Sequence, residues 1–124
     1  MEAINELTYK ILGCAYKVHS TLGPGLLEST YEHCLAQEFI MNEIQFKRQV
    51  GLPVIYENSK LDAGYRIDLL VEDRVILELK SVDQIAPIHK AQLLTYLKLS
   101  GKKTGLLINF NVVSLKDGIT RMVL

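Results

Sequence analysis

Residues 63–80 read AGYRIDLLVEDRVILELK, and this stretch decides the fold. Two runs, AGYRIDLLV (63–71) and RVILELK (74–80), flank Glu72-Asp73. Both are rich in aliphatic residues, the pattern of two strands joined by a tight turn. Both are apolar on both faces, as the strands of a central, buried hairpin are. Three charged residues interrupt them: Asp68, Glu78 and Lys80. Such residues are almost never fully buried unless paired, and burying an unpaired charge is costly.

Parity locates these charges. Residues two apart in a strand share a face, so Glu78 and Lys80 point the same way. Directly opposed residues in a hairpin have position numbers of constant sum. A loop of Glu72-Asp73-Arg74 therefore sets Val71 against Val75 and Asp68 against Glu78. A two-residue loop sets Asp68 against Leu77, on the other face, unless a bulge intervenes. The expected arrangement is the longer loop or a bulge. Asp68, Glu78 and Lys80 then form one patch, with Ile67, Leu69, Leu77 and Leu79 packed behind it. Two opposed carboxylates repel. A hard divalent cation, Mg²⁺ or Mn²⁺, offsets that repulsion and takes phosphate oxygens as further ligands. A lysine beside it can orient a water or neutralise charge building on a phosphate. A metal-free salt bridge from Lys80 to one carboxylate accounts for the same residues on local grounds.

The flanks build outward from this hairpin. Residues 2–22 carry Ile4, Leu7, Ile11, Ala15, Val18 and Leu22 at helical spacing. Gly23-Pro24-Gly25 breaks that helix. Residues 26–42 form a second, with Leu27, Tyr31, Leu35 and Phe39 four apart, and the two are expected to make a helical hairpin. Residues 44–50 alternate as a strand, 52–56 are extended, and 57–60 are a turn. Pro87 opens a third helix that Ser100-Gly101 closes. Its Gln92 and Tyr96 share a face, with His89 just before them, while Leu93, Leu94 and Leu97 lie to the other side. Residues 104–110 are an apolar strand and 119–124 a last one. The order ααβββαβ(β) implies an α/β or α+β fold, a mixed sheet covered by helices. Glu28 borders the inward face of the second helix, where the helix dipole favours an acid.

Composition bounds the function. The 124 residues suit one domain, 1–124. Fourteen basic and fourteen acidic side chains cancel, which excludes binding to nucleic acid by bulk charge. Any such binding needs a local patch, for which Lys47, Arg48, Arg66, Lys90, Lys98, Lys102 and Lys103 are candidates. The spacing of Cys14 and Cys34 matches no metal or redox motif, and both fall in helical segments as small hydrophobes. No apolar run is long enough to span a membrane, and the first residues do not read as a signal peptide. A cytoplasmic address is the expectation.

Taken together, these residues resemble a known family. Asp68 followed by Glu78-Leu79-Lys80 is similar to the D…(D/E)xK core of the PD-(D/E)XK nuclease superfamily. Gly25-Leu26-Leu27-Glu28-Ser29-Thr30-Tyr31 resembles the signature of its GxxExxY branch. GYRIDLL, VILELKSV, HKAQLLTYLKL and GLLINF look like that branch's successive blocks, so the resemblance runs from about Leu22 to the C-terminus. The proline of the superfamily name is absent; Ile67 precedes Asp68. The resemblance implies a restriction-endonuclease-like αβββαβ core with an extra N-terminal helix. It implies Mg²⁺, with Mn²⁺ as a substitute, held by Asp68, Glu78 and Glu28, with the Leu79 carbonyl as a further ligand. It assigns Lys80 to the attacking water and, with Asp68, Glu78 and Glu28, to the catalytic set. Gln92 and Tyr96 match a QxxxY motif that contacts the site or the substrate.

The function expected is hydrolysis of nucleic-acid phosphodiester bonds, with DNA favoured over RNA as the partner. The alternative is a non-catalytic module that binds nucleic acid or protein on a nuclease-like scaffold. Cutting both strands needs two sites, so a homodimer or a larger protein complex is expected. Tyr9 and Tyr16, off the main stripe of the first helix, mark the candidate contact surface.

Overall fold

The computed structural model describes residues 2–124. Helix α1 (Ile4–Leu22) buries Leu7, Ile11, Ala15 and Val18 as their spacing predicts. Its last turn is closed by Gly23, whose N–H donates to the His19 carbonyl at 2.7 Å. Helix α2 (Glu28–Met41) packs against α1 and buries Tyr31, Leu35 and Phe39. Leu22 and Leu27, expected on the apolar stripes, are exposed instead. They flank the interhelical loop at the helix ends and take no part in the core. Tyr9 and Tyr16 are exposed, Cys14 is buried and Cys34 partly so, and both cysteines are free. Burial pushes the Cys14 thiol up from its ordinary pKa.

The strands are β1 (Phe46–Gly51), β2 (Val54–Tyr56), β3 (Ser59–Leu61), β4 (Arg66–Val71), β5 (Val75–Lys80), β6 (Thr104–Asn109) and β7 (Ile119–Val123). Helix α3 (Pro87–Ser100) lies between β5 and β6 in the chain. The main sheet has the order β1-β4-β5-β6-β7. Only β5 and β6 run parallel, joined by the α3 crossover; the other neighbours are antiparallel. This mixed sheet between helices is the expected architecture, with α2, β1, β4, β5, α3 and β6 supplying an αβββαβ core and α1 the additional N-terminal helix. One element differs. Residues 57–60 are not all turn: Glu57 and Asn58 turn with φ of 47° and 65°, and Ser59–Leu61 pairs back on β2 as a separate two-stranded arm. Asn and Gly-like conformations at two turn positions are what a tight hairpin requires.

Helices cover both faces. On one, α1 and α2 pack over Leu69, Val71, Val75, Leu77, Leu79, Leu106 and Ile108. On the other, Leu93, Tyr96 and Leu97 of α3 pack over Leu70, Ile76 and Leu107. Gly105 permits the close approach of α3, since a Cβ there would meet Leu93 Cδ1 at 2.8 Å. Gly101 ends α3 in the left-handed conformation, φ 75°, and its N–H donates to the Leu97 carbonyl. Ile67 departs from expectation: it packs with the α3 cluster, not behind the charged patch. No helix among the described residues is long and apolar enough to cross a membrane.

Candidate active site

The β4–β5 ladder pairs Val71 with Val75, Leu70 with Ile76 and Leu69 with Leu77. That is the register of the longer loop, closed by the Arg74 N–H on the Val71 carbonyl at 2.9 Å. The ladder stops there. At the next position Asp68 and Glu78 do not form a backbone pair; the Asp68 carboxylate replaces the ladder and Oδ2 accepts the Leu79 N–H at 2.8 Å. The β1–β4 ladder is interrupted at the same place. Its pairs run from Arg48–Leu69 to Val50–Ile67, stepping over Gln49 and Asp68. Gln49 holds a positive φ of 50°, a conformation that costs a non-glycine residue energy. The broken alternation explains why Ile67 falls on the α3 side: the strand re-aims its side chains where both ladders open.

Glu78 lies on the α3 face with Ile76 and Leu107, and is 4% exposed. Among the described residues its Oε1 has no hydrogen-bond partner. Burial, and then the charge of Asp68, push its carboxyl up to about 9. A buried polar atom is normally satisfied, so this one marks a place that a proton or a cation must complete. Lys80 does not complete it. Among the described residues it makes no ion pair, and its charge offsets the Glu78 shift least of the named causes. The metal-free salt bridge that could have accounted for these residues is therefore not formed.

Glu28 sits at the exposed N-terminus of α2, where its Oε2 accepts the Ser81 N–H at 3.3 Å. The Ser81 hydroxyl donates to the Leu26 carbonyl at 2.6 Å. Tyr31 secures the same loop. Its hydroxyl donates to the Gly23 carbonyl at 2.6 Å and accepts the Leu26 N–H at 3.2 Å. Its buried ring stacks on Phe110 with centroids 4.4 Å apart. Gly25, Glu28 and Tyr31 thus form a clamp: glycine turns the loop at φ 98°, tyrosine anchors it, and glutamate binds the chain just beyond Lys80. Among the described residues no three His, Cys, Asp or Glu side chains converge as metal ligands. Glu28 is therefore placed at the end of β5 but is not gathered into a three-acid cluster with Asp68 and Glu78.

On α3, Gln92 Nε2 donates to the Tyr96 hydroxyl at 3.0 Å. The two share a stripe as expected, but Tyr96 is buried against the sheet beside Leu93 and Leu97. Burial, then the negative charge of Glu78, raise its hydroxyl above the ordinary tyrosine range. His89 is occupied in capping α3: its Nδ1 accepts the Ala86 N–H at 2.9 Å, and its backbone N–H donates to the Ala86 carbonyl at 3.0 Å. Leu79 buries its side chain toward α1 and α2, leaving its backbone beside Asp68.

Three site residues escape the sequence reading. Glu32, one turn after Glu28, is buried and accepts Arg48 Nε at 3.0 Å and Nη2 at 2.9 Å on Oε2. Gln49 Nε2 bridges Glu32 Oε1 at 2.7 Å and Asp68 Oδ1 at 3.4 Å. Buried Asn109 accepts the Val82 N–H at 3.1 Å and donates to the Val82 carbonyl at 2.9 Å, tying the chain after Lys80 to β6. The spacing of four between Glu28 and Glu32, and the lone amide of Asn109 in an apolar strand, are the sequence signals that point to any of them. Of the basic candidates, Arg48 is engaged by Glu32, Arg66 by Asp62 and Lys102 by Asp73.

A family model of the PD-(D/E)XK nuclease superfamily matches residues 5–122. The chain belongs to that superfamily. Comparison with curated proteins and with solved structures found no match. Members of the superfamily typically use divalent metals and act on nucleic acid. The residues present fit such an ion: an orphaned, buried carboxyl oxygen beside a second carboxylate is a hard-oxygen donor set. Mg²⁺ is commonly held by one or two carboxylates and completed by water and substrate phosphate.

Proposed function

We propose that this protein is a divalent-metal-dependent nuclease of the GxxExxY branch. In this reading residues 1–124 act as one domain and hydrolyse phosphodiester bonds at the open end of the β4–β5 hairpin. The observation that carries the reading is Glu78 Oε1, buried without a partner beside Asp68. A bound Mg²⁺, or Mn²⁺ in its place, would polarise the phosphate and lower the pKa of a bound water. Asp68 and Glu78 are its ligands, with the Leu79 carbonyl as a further oxygen and Glu28 the acid at the α2 end. Leu79 N–H and Gln49 hold the Asp68 carboxylate in one orientation. Lys80, which makes no ion pair among the described residues, positions the attacking water and meets the charge that builds on the phosphate. The clamp on Ser81 and the Asn109 staple on Val82 fix the backbone from which Lys80 projects. Gln92 and Tyr96 contact the substrate. DNA is the first substrate to try, and a homodimer or a larger complex is the proposed assembly.

The test is incubation of labelled single- and double-stranded DNA and RNA with Mg²⁺, Mn²⁺ or EDTA. Wild type is expected to cut with metal and not with EDTA. Lys80→Ala should cut about 100-fold more slowly or worse. If neither protein cuts, or both cut equally, the reading fails; binding without cutting would support the non-catalytic module instead.

A further inference from the structure

A cleft of about 520 Å³ opens between α3 and the β2–β3 arm, and Val54, Tyr65, Ile88, His89, Gln92 and Tyr96 contribute to its lining. We propose that it receives an unpaired nucleobase adjoining the scissile phosphate, which makes single-stranded or frayed nucleic acid the substrate class. The proposal rests on the nuclease reading above.

Three observations carry it. The first is the chemistry of the lining. Ile88 and half-exposed Tyr65 offer apolar and aromatic surface, and Tyr65 meets Tyr96 edge-on with centroids 6.0 Å apart. A base presents such a surface only when unstacked, and base–aromatic stacking is how single strands are held without regard to sequence. The cleft volume lies in the ~300–1,000 Å³ range of small-ligand sites. The second is the polar edge. Gln92 spends one amide hydrogen on Tyr96, which leaves its carbonyl oxygen for a base amino or imino group. His89 accepts at Nδ1, so Nε2 carries the ring proton and remains a donor. No Lys or Arg lines the cleft, which suits a base better than a phosphate. The third is position. Tyr96 lines the cleft and packs in one cluster with Ile76 and Leu107, the neighbours of Glu78 on the α3 face of the sheet. Tyr65 precedes Asp68 by three residues on the segment that leads into β4. A nucleotide with its base in the cleft would carry its phosphate toward Asp68 and Glu78.

The experiment is equilibrium binding in EDTA, where nothing is cut. The probes are labelled single-stranded DNA, single-stranded RNA, a duplex, and a strand of abasic sugar-phosphate units. Single strands of either sugar are expected to bind at least about tenfold more tightly than the duplex or the abasic strand. Thr95→Trp, which fills the cleft from an exposed position, and Tyr65→Ala should each weaken single-strand binding about tenfold with melting temperature unchanged. If Thr95→Trp perturbs folding, the exposed Tyr65 position alone decides. Equal binding of duplex or abasic strand, or wild-type binding by Tyr65→Ala, overturns the proposal. The two readings separate cleanly. Tyr65-dependent binding of single strands that are never cut leaves the cleft and removes the nuclease. Lys80-dependent cutting indifferent to pairing and to Tyr65 leaves the nuclease and removes the cleft.

Discussion

The two ends of the β4–β5 hairpin belong to one strand pair and behave oppositely. At the turn, Val71 faces Val75 and Leu69 faces Leu77, all four fully buried, with the ladder intact. One residue further along, both ladders that border β4 skip Asp68, and a carboxylate takes the place of a backbone partner. The turn end is held by burial of apolar surface, which is non-directional and tolerant of shape. The open end is held by directed hydrogen bonds from Gln49, Leu79 and Asn109, and it leaves one carboxyl oxygen unsatisfied. A structure optimised for stability alone would extend the first arrangement. The second concentrates strain and uncompensated charge at the proposed site.

The largest effect should come from the closed end. Leu77→Ala removes a fully buried side chain and is expected to cost about 2–5 kcal/mol in chemical denaturation. A loss no greater than that of a surface substitution would show that this end is not the anchor.

The open end should behave in the contrary sense. Glu78 is raised from 4.5 to about 9 on folding, so between these values the folded state binds the extra proton. Stability of the metal-free protein should therefore fall as pH rises through this window, and level off above about 9. Across pH 5 to 8 the loss should be on the order of 4 kcal/mol, and Glu78→Gln should remove most of the slope. Denaturation at several pH values in EDTA reads this directly; an equal slope in both proteins would place the uncompensated charge elsewhere.

Arg48→Ala leaves the buried Glu32 carboxylate without its cation and frees Gln49 to shift away from Asp68. A destabilisation of about 1–2 kcal/mol is expected. Cutting should slow as well, whereas a purely structural pair would leave the rate per folded molecule untouched. The smallest effect belongs to the turn. Lys102 pairs with Asp73 at 3.2 Å, but Asp73 is exposed, and Lys102→Ala should change stability by no more than about 0.5 kcal/mol.

Much of this contrast is written in the sequence. Alternation and hydrophobic runs depend on nearest neighbours, so α1, α3, the hairpin and its longer loop were all readable. So was the convergence of Asp68 and Glu78, which follows from parity. What was not readable depends on tertiary contacts. Glu32 looks like any helical surface acid until Arg48 and Gln49 fold over it. Gln49 gives no local sign of its positive φ. Asn109 sits in an apolar strand as an apparent exception, and its value appears only when Val82 is brought against it. The spacing of α3 places Tyr96 on a polar stripe with Gln92, yet packing buries it, because one amphiphilic side chain can serve both faces of a helix.

The central claim is that the unsatisfied oxygen of Glu78 belongs to a metal site shared with Asp68. A calorimetric Mn²⁺ titration at pH 7, repeated in two buffers of different ionisation enthalpy, tests it most directly. Because the metal-free Glu78 carboxyl holds its proton at that pH, binding should release about one proton, and Asp68→Asn should abolish binding. No binding by wild type, or binding by Asp68→Asn with the same affinity and proton release, would contradict the account.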